Sequence, residues 1–350
     1  MNILNSKGFN RFFNSVDIGV DLGTANILVF LKGKGIVLKE PSVVATDRET
    51  GKVLAIGRAA KFMLGRTPEN IVAIRPLREG VIADYDITQL MLENVLQKVA
   101  GKSMFFKPRV MICIPSGVTT VEKRAVLEAT MQSGAAKTYL IEEPMAAAMG
   151  AGLDVGESRG CMVVDIGGGT TDVAVICLGG IVVAQSLRIG GDKFDEAIVR
   201  FVKKEHNVLI GERTAEDIKI GVATVSKNGR KAEVTVRGRD LITGLPTTIR
   251  ITSNETYRAM AEPISMLVAC IRSVLEKTPP ELASDIVEQG IVLTGGGALL
   301  DGLAALVQEE TRIETRVADN PLDCVALGTG KALANLGVLK DSVFMENRKK

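Results

Sequence analysis

Two segments of the chain share one pattern, in which an apolar run ends in an aspartate, a glycine turn follows, and a second apolar run begins. Residues 16–33 read VDIGVDLGTANILVFLKG, and residues 160–180 read GCMVVDIGGGTTDVAVICLGG. Asp21 and Asp165 occupy the same place in the two runs. The pattern predicts two β-hairpins whose tight turns expose backbone N–H groups. Their wide separation indicates an internal duplication, with one hairpin in each of two lobes.

Apolar positions at helical spacing predict helices over residues 86–101, 116–135, 212–222 and 264–278, the last of them apolar over most of its circumference. Residues 231–253 instead alternate in two arms around a Gly-Leu-Pro turn, which predicts an antiparallel hairpin on a small added subdomain. This order of strands and helices predicts an α/β protein in which each lobe is a β-sheet flanked by helices.

The composition excludes several classes of function. A chain of 350 residues is large for one core, which agrees with two lobes. The net charge of +2 gives no support for nucleic-acid binding. The longest apolar runs fall short of the ~20 residues that span a bilayer, and the N-terminus lacks the pattern of a signal peptide, so we expect a cytoplasmic protein. Five cysteines without CxxC spacing indicate reduced, packed thiols, and a single histidine makes Ser-His chemistry improbable.

Three glycine-containing turns are candidate phosphate sites, because glycine lets an oxygen approach the backbone N–H groups closely. The three turns are Gly23-Thr24-Ala25-Asn26, Gly167-Gly168-Gly169-Thr170-Thr171 and Gly295-Gly296-Gly297-Ala298. The third follows an apolar strand and is predicted to open a helix, the usual position for an anion. A single triplet could be an ordinary tight turn, and none matches the P-loop pattern. Their combination in one chain indicates phosphate binding.

Three carboxylates accompany these turns. Asp21 and Asp165 end apolar strands just before the first two turns, and one aspartate from each lobe would hold a magnesium triphosphate in a shared cleft. Glu143 precedes Pro144 at the predicted start of a helix, where a carboxylate can orient an attacking water. Taken alone, the aspartates could be Asx-turn residues and Glu143 a solvated residue favoured by the helix dipole.

Six motifs together resemble the actin superfamily, and specifically the MreB-type bacterial actins that organise cell-wall synthesis in rod-shaped cells. The motifs are VDLGTAN, IPSGVTTVEKRAV, IEEPMAAAMGAGL, VVDIGGGTTDVAV, IGERTAEDIK and VLTGGGALLDGL. The resemblance covers nearly the whole chain. It implies a two-lobed actin-like ATPase fold, in which each lobe has a large and a small subdomain and ATP with Mg²⁺ lies in the central cleft.

The resemblance implies a role for each matching residue. It assigns Thr24, Ala25 and Asn26 to the first phosphate loop and Gly168, Gly169 and Thr170 to the second, with Gly167 before them. It assigns the ribose and adenine side to Glu216, Asp217, Ile218 and Lys219, and the cover of the nucleotide to Gly295, Gly296, Gly297 and Ala298. Asp21 and Asp165 would hold Mg²⁺ through water, and Glu143 and Thr170 would position the hydrolytic water.

The chain departs from the family pattern at two positions. Ile27 stands where the family commonly has threonine, and Asp172 stands where it commonly has glutamate. Both residues lie just outside the positions expected to face phosphate, so the departures concern fine tuning of the site.

The resemblance also implies a division of the chain. Residues 1–16 would form an amphipathic membrane-binding segment. The large and small subdomains of lobe I would be 17–35 with 79–154 and 324–345, and 36–78. Those of lobe II would be 155–190 with 256–323, and 191–255.

Among its relatives, a filament protein explains the chain best: ATP promotes head-to-tail assembly, and slow hydrolysis follows in the polymer. Protofilaments would pair antiparallel through the helix near Val121–Glu128, although core packing on one face and solvent on the other is the alternative for that helix. A sugar-type kinase would need an aspartate base, for which Asp84 and Asp86 are candidates. A chaperone of the same superfamily would need a peptide-binding domain after the ATPase. The expected partners are further copies of the chain and membrane proteins of cell-wall synthesis and elongation.

Two aromatic segments predict a peripheral place on the inner face of the cell membrane. The N-terminal segment puts Phe9, Phe12 and Phe13 on one helical face, with basic residues opposite. Residues 101–109 read GKSMFFKPR, in which Met104, Phe105 and Phe106 are flanked by basic residues. Both segments suit an anionic membrane surface. Docking of either segment on the protein's own core is the alternative.

Overall fold

The computed structural model describes residues 16–100, 107–336 and 343–347. The strands are β1 Asp17–Leu22, β2 Asn26–Leu31, β3 Gly35–Pro41, β4 Val44–Asp47, β5 Val53–Ile56, β6 Ile71–Ile74, β7 Leu77–Arg78, β8 Val81–Ile82, β9 Arg109–Ile114, β10 Lys137–Glu142, β11 Cys161–Ile166, β12 Thr171–Cys177, β13 Gly180–Leu187, β14 Val208–Leu209, β15 Glu233–Asp240, β16 Pro246–Thr252, β17 Ile291–Thr294, β18 Thr315–Val317 and β19 Val343–Asn347. The helices are α1 Arg58–Met63, α2 Tyr85–Ala100, α3 Thr120–Gln132, α4 Glu143–Gly150, α5 Gly191–His206, α6 Glu212–Val222, α7 Ser253–Ala259, α8 Ala261–Lys277, α9 Pro280–Gln289, α10 Leu303–Thr311 and α11 Cys324–Ala334. Short 3₁₀ helices cover Gly296–Leu299 and Pro321–Asp323.

Two mixed sheets repeat one local arrangement. A six-stranded sheet has the order β19-β10-β9-β1-β2-β3, and a five-stranded sheet has the order β13-β12-β11-β17-β18. In each, the first strand of a hairpin pairs antiparallel with its successor and parallel with a strand that arrives later in the chain, β9 or β17. Both predicted hairpins are therefore confirmed, and the repeated arrangement is what an internal duplication produces. The subdomain boundaries given above stay a prediction.

Helices α4 and α11 pack against each other and against both sheets. Helix α11 contacts β1, β2 and β9 of the six-stranded sheet, and α4 contacts β11 and β12 of the five-stranded sheet. The helix backbones approach very closely where two glycines lie. A β-carbon on Gly150 would overlap the carbonyl oxygen of Cys324, and one on Gly328 would overlap that of Ala146. Small residues at this contact let one pair of helices join the two sheets.

Smaller elements surround this frame. The predicted hairpin over 231–253 is confirmed as β15 and β16, which pair with β14. A second small sheet has the order β5-β4-β6. The predicted helix over 116–135 is shorter at both ends and ends at Gln132. It starts at Thr120 because Thr119 and Glu122 form a capping box there.

Two further expectations concern the cysteines and the membrane. All five cysteines are free, and four of them are buried, as predicted. Within the described ranges, we find no helix with the length and apolar character to cross a bilayer. The residues predicted to face a membrane, Phe9, Phe12, Phe13, Met104, Phe105 and Phe106, lie outside the described residues.

The contact between α4 and α11 predicts that alanine at Gly328 destabilises the protein, whereas alanine at a helical glycine outside the contact does not. Gly328→Ala should lower the free energy of unfolding by about 2 kcal/mol or more, because the new methyl group forces the helices apart. Gly221→Ala on α6 is the matched control, because a β-carbon there meets nothing within 4 Å. It should raise stability by up to about 1 kcal/mol through helix propensity. Urea unfolding of both variants measures the difference, and equal stability of the two would contradict this account of the contact.

Candidate functional site

The turns of the two main hairpins lie against each other. A β-carbon on Gly168 would come within 2.7 Å of the Ala25 β-carbon, and one on Gly169 within 2.5 Å of the Thr24 hydroxyl. The Thr24 hydroxyl also accepts a hydrogen bond from the Gly80 N–H group at 3.1 Å. Glycine is required here because the two sheets meet at this point with no room for a side chain.

Both turns line one cavity of about 470 Å³. The cavity collects most of the residues that the sequence singled out: Asp21, Gly23, Thr24, Ala25, Asn26, Glu143, Asp165, Gly167, Gly168, Gly169, Thr170, Glu216, Lys219, Gly295, Gly296 and Gly297. These residues come from both sheets and from α4 and α6. The predicted cleft between two glycine turns is thus present as a single cavity.

Three predicted residues do not line the cavity. Asp217 is exposed to solvent, and Ile218 and Ala298 are packed in the core. Helical spacing explains the first two, because residues three apart share a face of α6. Of the four predicted residues on this helix, Glu216 and Lys219 face the cavity. Ala298 is buried within the 3₁₀ turn that follows Gly295.

The third glycine turn differs from its prediction. It opens a 3₁₀ helix of four residues, Gly296–Leu299, and the next α-helix begins only at Leu303. Gly295 has a φ of +77°, and a β-carbon on it would overlap the carbonyl oxygen of Ile166 and approach Asp165 Oδ1 to 2.9 Å. This glycine therefore lets the turn pack directly over the end of β11.

Asp21 and Asp165 face the cavity from the two sheets, and both ionise less readily than usual. Burial raises the pKa of Asp165 to about 6, against a hydrogen bond of 2.9 Å that its Oδ1 accepts from the Thr294 hydroxyl. Burial and the charge of Asp165 raise the pKa of Asp21 to about 7. Two partly desolvated carboxylates that disfavour each other's charge form a site that a cation would stabilise.

Glu143 is the first residue of α4, directly after β10. Burial raises its pKa well above the usual range, and the charges of Asp172, Asp165 and Asp21 add to the effect. The four carboxylates therefore belong to one electrostatic group. Asp172, which the sequence marked only as a departure, lies fully buried on β12.

The sequence analysis missed a fourth glycine motif. In RIGGDKF, Gly190 and Gly191 follow β13 and open α5. The N–H groups of Gly191 and Asp192 donate to the carbonyl oxygens of Gly167 and Gly168 at 3.0 and 2.8 Å. This strand–Gly–Gly–helix pattern has the same form as the motif at Gly295, and could have been found in the same way.

The sequence analysis predicted Lys219 and Glu216 at the cavity but missed the charged residues that pair with them and with each other. Lys219 Nζ donates to Asp195 Oδ2 and to the Gly191 carbonyl oxygen, both at 2.9 Å. Arg75, which follows β6, pairs with Asp192 at 3.0 Å, and Lys61 on α1 pairs with Glu216 at 2.7 Å. The pairs made by Arg75 and Lys61 join elements more than a hundred residues apart, and the local sequence carries no signal for them.

Known proteins resemble this chain over almost all of its length. The family model described as MreB/Mbl protein matches residues 15–341. The cell shape-determining protein Mbl of Bacillus subtilis (strain 168) is 54% identical over 323 residues, which are 92% of this chain and 97% of the relative. The cell shape-determining protein MreB of Escherichia coli (strain K12) is 51% identical, over 97% of this chain and 99% of the relative.

Solved structures show the same architecture. MreB5 of Spiroplasma citri bound to AMPPNP has a TM-score of 0.88 and 35% identity, and the match covers 93% of this chain and 97% of that one. The MamK double helical filament has a TM-score of 0.77 at 22% identity, covers 92% of this chain and 99% of that one, and shows the likeness of the fold alone. The predicted two-lobed actin-like α/β fold is confirmed. With this fold, the matched motifs and the matched length, the chain belongs to the MreB/Mbl family.

Proposed function

We propose that the chain is an ATP-dependent, actin-like filament protein of the bacterial cytoskeleton that determines cell shape. The observation that carries this proposal is the single cavity in which two glycine turns meet beside Asp21, Asp165 and Glu143. The family supports it, since relatives are named cell shape-determining proteins and MreB5 structures hold AMPPNP or ADP.

The cavity fits a magnesium nucleotide. Its glycine turns leave backbone N–H groups without covering side chains, as phosphate requires. Within the described part of the chain, no group of three or more His, Cys, Asp or Glu side chains could hold a metal by itself. Asp21 and Asp165 instead suit a Mg²⁺ ion that arrives with phosphate oxygens and waters as part of the substrate. When bound, the ion offsets the charge of the phosphates and of the two carboxylates.

The chain's own residues then divide the work of binding and hydrolysis. Thr24, Ala25 and Asn26 hold the phosphates from one side, and Gly168, Gly169 and Thr170 hold them from the other. Glu216 and Lys219 lie toward the ribose and adenine, and Gly295, Gly296 and Gly297 cover the nucleotide.

Glu143 and Thr170 orient the attacking water. In-line attack on the γ-phosphate depends mainly on positioning and electrostatics, so the site needs no histidine.

The exposed surface of α3 supports the proposed pairing of protofilaments. Val121 is 78% exposed, and Arg124 and Glu128 form an exposed ion pair one turn further on. This face is therefore available for pairing with a second protofilament, and it agrees equally with the alternative of a solvated face. Head-to-tail assembly is heterologous and open, which is the geometry that makes a filament.

A sugar-type kinase is disfavoured by the same cavity. Asp84 caps α2 through a hydrogen bond that its Oδ1 accepts from the Ile87 N–H group, and neither Asp84 nor Asp86 lines the cavity. These aspartates are therefore not placed as a base for a sugar hydroxyl.

The membrane part of the proposal rests on the sequence. Phe9, Phe12, Phe13, Met104, Phe105 and Phe106 would enter the acyl boundary of an anionic inner-membrane surface while basic residues meet its headgroups. Many weak anchors along one filament bind by avidity. Membrane proteins of cell-wall synthesis and elongation are the proposed partners there.

Replacing Asp165 by Asn should separate stability from function. Because the pKa of Asp165 is raised from 3.8 to about 6, the folded state binds more protons than the unfolded state between these values. The ionisation of Asp165 therefore makes the free energy of unfolding fall as the pH rises through this window. Asp165→Asn should stabilise the nucleotide-free protein at pH 8 by about 1–3 kcal/mol, but by almost nothing at pH 4. The same change should weaken binding of Mg–ATP. Urea unfolding and nucleotide titration measure the two effects, and equal stabilisation at both pH values would contradict the assignment.

Electron microscopy of the purified protein with ATP on anionic lipid vesicles tests the proposed function directly. We expect paired filaments that lie on the vesicle surface, and loss of the filaments when ATP is omitted. A soluble monomer that phosphorylates sugars would overturn the proposal.

The membrane contact has its own test. Deletion of residues 1–15 combined with Phe105→Ser and Phe106→Ser should abolish pelleting with anionic liposomes, because both apolar anchors are lost. ATP binding should survive, since the residues proposed to hold the nucleotide all lie in other parts of the chain. Undiminished pelleting of this variant would remove the membrane part of the proposal and leave the nucleotide part intact.

A further inference from the structure

Asp172 is a fully buried carboxylate that has no role in the scheme above. It lies on β12 directly opposite Asp165 on β11. Its Oδ1 accepts a hydrogen bond of 2.7 Å from the N–H group of Ser116. Its Oδ2 is buried and has no hydrogen-bond partner among the described residues. A buried carboxyl group is costly unless hydrogen bonds compensate for its lost solvation, and the Ser116 N–H group supplies such a bond.

Ser116 connects Asp172 to the opposite sheet. It lies in the turn between β9 and α3, so it belongs to the six-stranded side of the molecule. While its N–H group binds Asp172, its hydroxyl donates to Glu142 Oε2 at 2.7 Å. Glu142 is the last residue of β10 and comes directly before Glu143. A continuous chain of two short hydrogen bonds therefore runs from β12 to the backbone that carries Glu143.

Asp172 also lies next to the other residue proposed to orient the water. Thr170 directly precedes β12 and Asp172 is the second residue of that strand. In extended backbone, side chains two positions apart project to the same side. Asp172 thus supports Thr170 locally and Glu143 through Ser116 and Glu142. Thr170 belongs to the hairpin of one sheet and Glu143 to the end of a strand of the other, so their spacing depends on how the two sheets are held.

We propose that Asp172 and Ser116 form a brace between the sheets, and that Asp172 is thereby a positioning residue for ATP hydrolysis. This inference rests on the proposed function. The brace sets the distance between the Glu143 and Thr170 side chains, and an error of about 1 Å in such a distance costs roughly a hundredfold in rate.

Three variants test the brace in the full-length protein. Asp172→Ala removes both the hydrogen bond and the charge, and should lower phosphate release per sedimented subunit about tenfold or more. The KM for ATP and the Kd for AMPPNP should change less than about twofold, because the residue does not contact the nucleotide.

Asp172→Asn keeps an oxygen that can accept a hydrogen bond from the Ser116 N–H group, and should restore the rate to within about threefold of the wild type. The matched control is Thr138→Ala. Thr138 is a buried polar residue of β10 whose hydroxyl lacks a partner within the described residues, so its replacement should leave the rate unchanged.

Ser116→Ala examines the second hydrogen bond. It keeps the backbone N–H group for Asp172 but breaks the contact to Glu142, so the rate should fall about threefold or more. Because the two residues act through one path, the double variant Ser116→Ala/Asp172→Ala should be no slower than Asp172→Ala alone. Ser116→Ala and Asp172→Asn carry the test if Asp172→Ala fails to fold.

The outcomes separate the brace from its alternatives. Wild-type rates in both Asp172→Ala and Ser116→Ala would overturn the inference. So would a loss of rate that parallels a loss of nucleotide affinity and is the same in Asp172→Asn and Asp172→Ala, because that pattern indicates a purely structural residue. Absence of ATP hydrolysis by the wild-type filament would overturn the proposed ATPase, and the inference with it, before any variant is compared.

Discussion

The contact between the two glycine turns is the constraint on which the rest of the structure depends. Gly168 and Gly169 meet Ala25 and Thr24 at distances that leave no space for a side chain. The two sheets must therefore reach this point with their hairpin turns in register, and the close packing of α4 on α11 provides the frame that holds them there. A cavity lined by backbone N–H groups follows as a consequence of this contact, because the turns that touch at their tips leave an open space beside them.

The same closeness accounts for the electrostatics of the site. Strands that end at the contact bring Asp21, Asp165 and Asp172 into a small, poorly solvated volume, to which Glu143 adds a fourth carboxylate. Such a group opposes folding at neutral pH, since burial raises the pKa of each of these carboxyl groups above its ordinary value and so makes its ionised form costly. Selection for stability alone would replace these residues by neutral ones. Their presence indicates a site built for a cation and a polyphosphate, at a cost in the stability of the empty protein.

Much of the fold and of the cavity lining could be predicted from the sequence, because the responsible signals are local. The Asp-x-Gly turns, the apolar strands around them and the helix that starts after Glu143 are all visible within ten to twenty residues. The prediction was less accurate where backbone direction matters: Asp217 and Ile218 sit on other faces of α6, and the Gly295 turn opens a 3₁₀ helix. The sequence did not predict the ion pairs of Arg75 with Asp192 and of Lys61 with Glu216, because those pairs form only after distant segments have been brought together.

Ser116 shows how a residue without a sequence signal can matter to the chemistry. Serine before glycine in a turn is ordinary, and its hydroxyl has many possible partners in a folded chain. Only the arrangement of the sheets gives it Asp172 on one side and Glu142 on the other. A hydrogen bond that crosses between two sheets is sensitive to any movement of one against the other. If Glu143 and Thr170 orient the attacking water as proposed, such bonds tie that orientation to the closure of the two lobes. Assembly into a filament would then act on hydrolysis through that closure without adding a residue to the cavity.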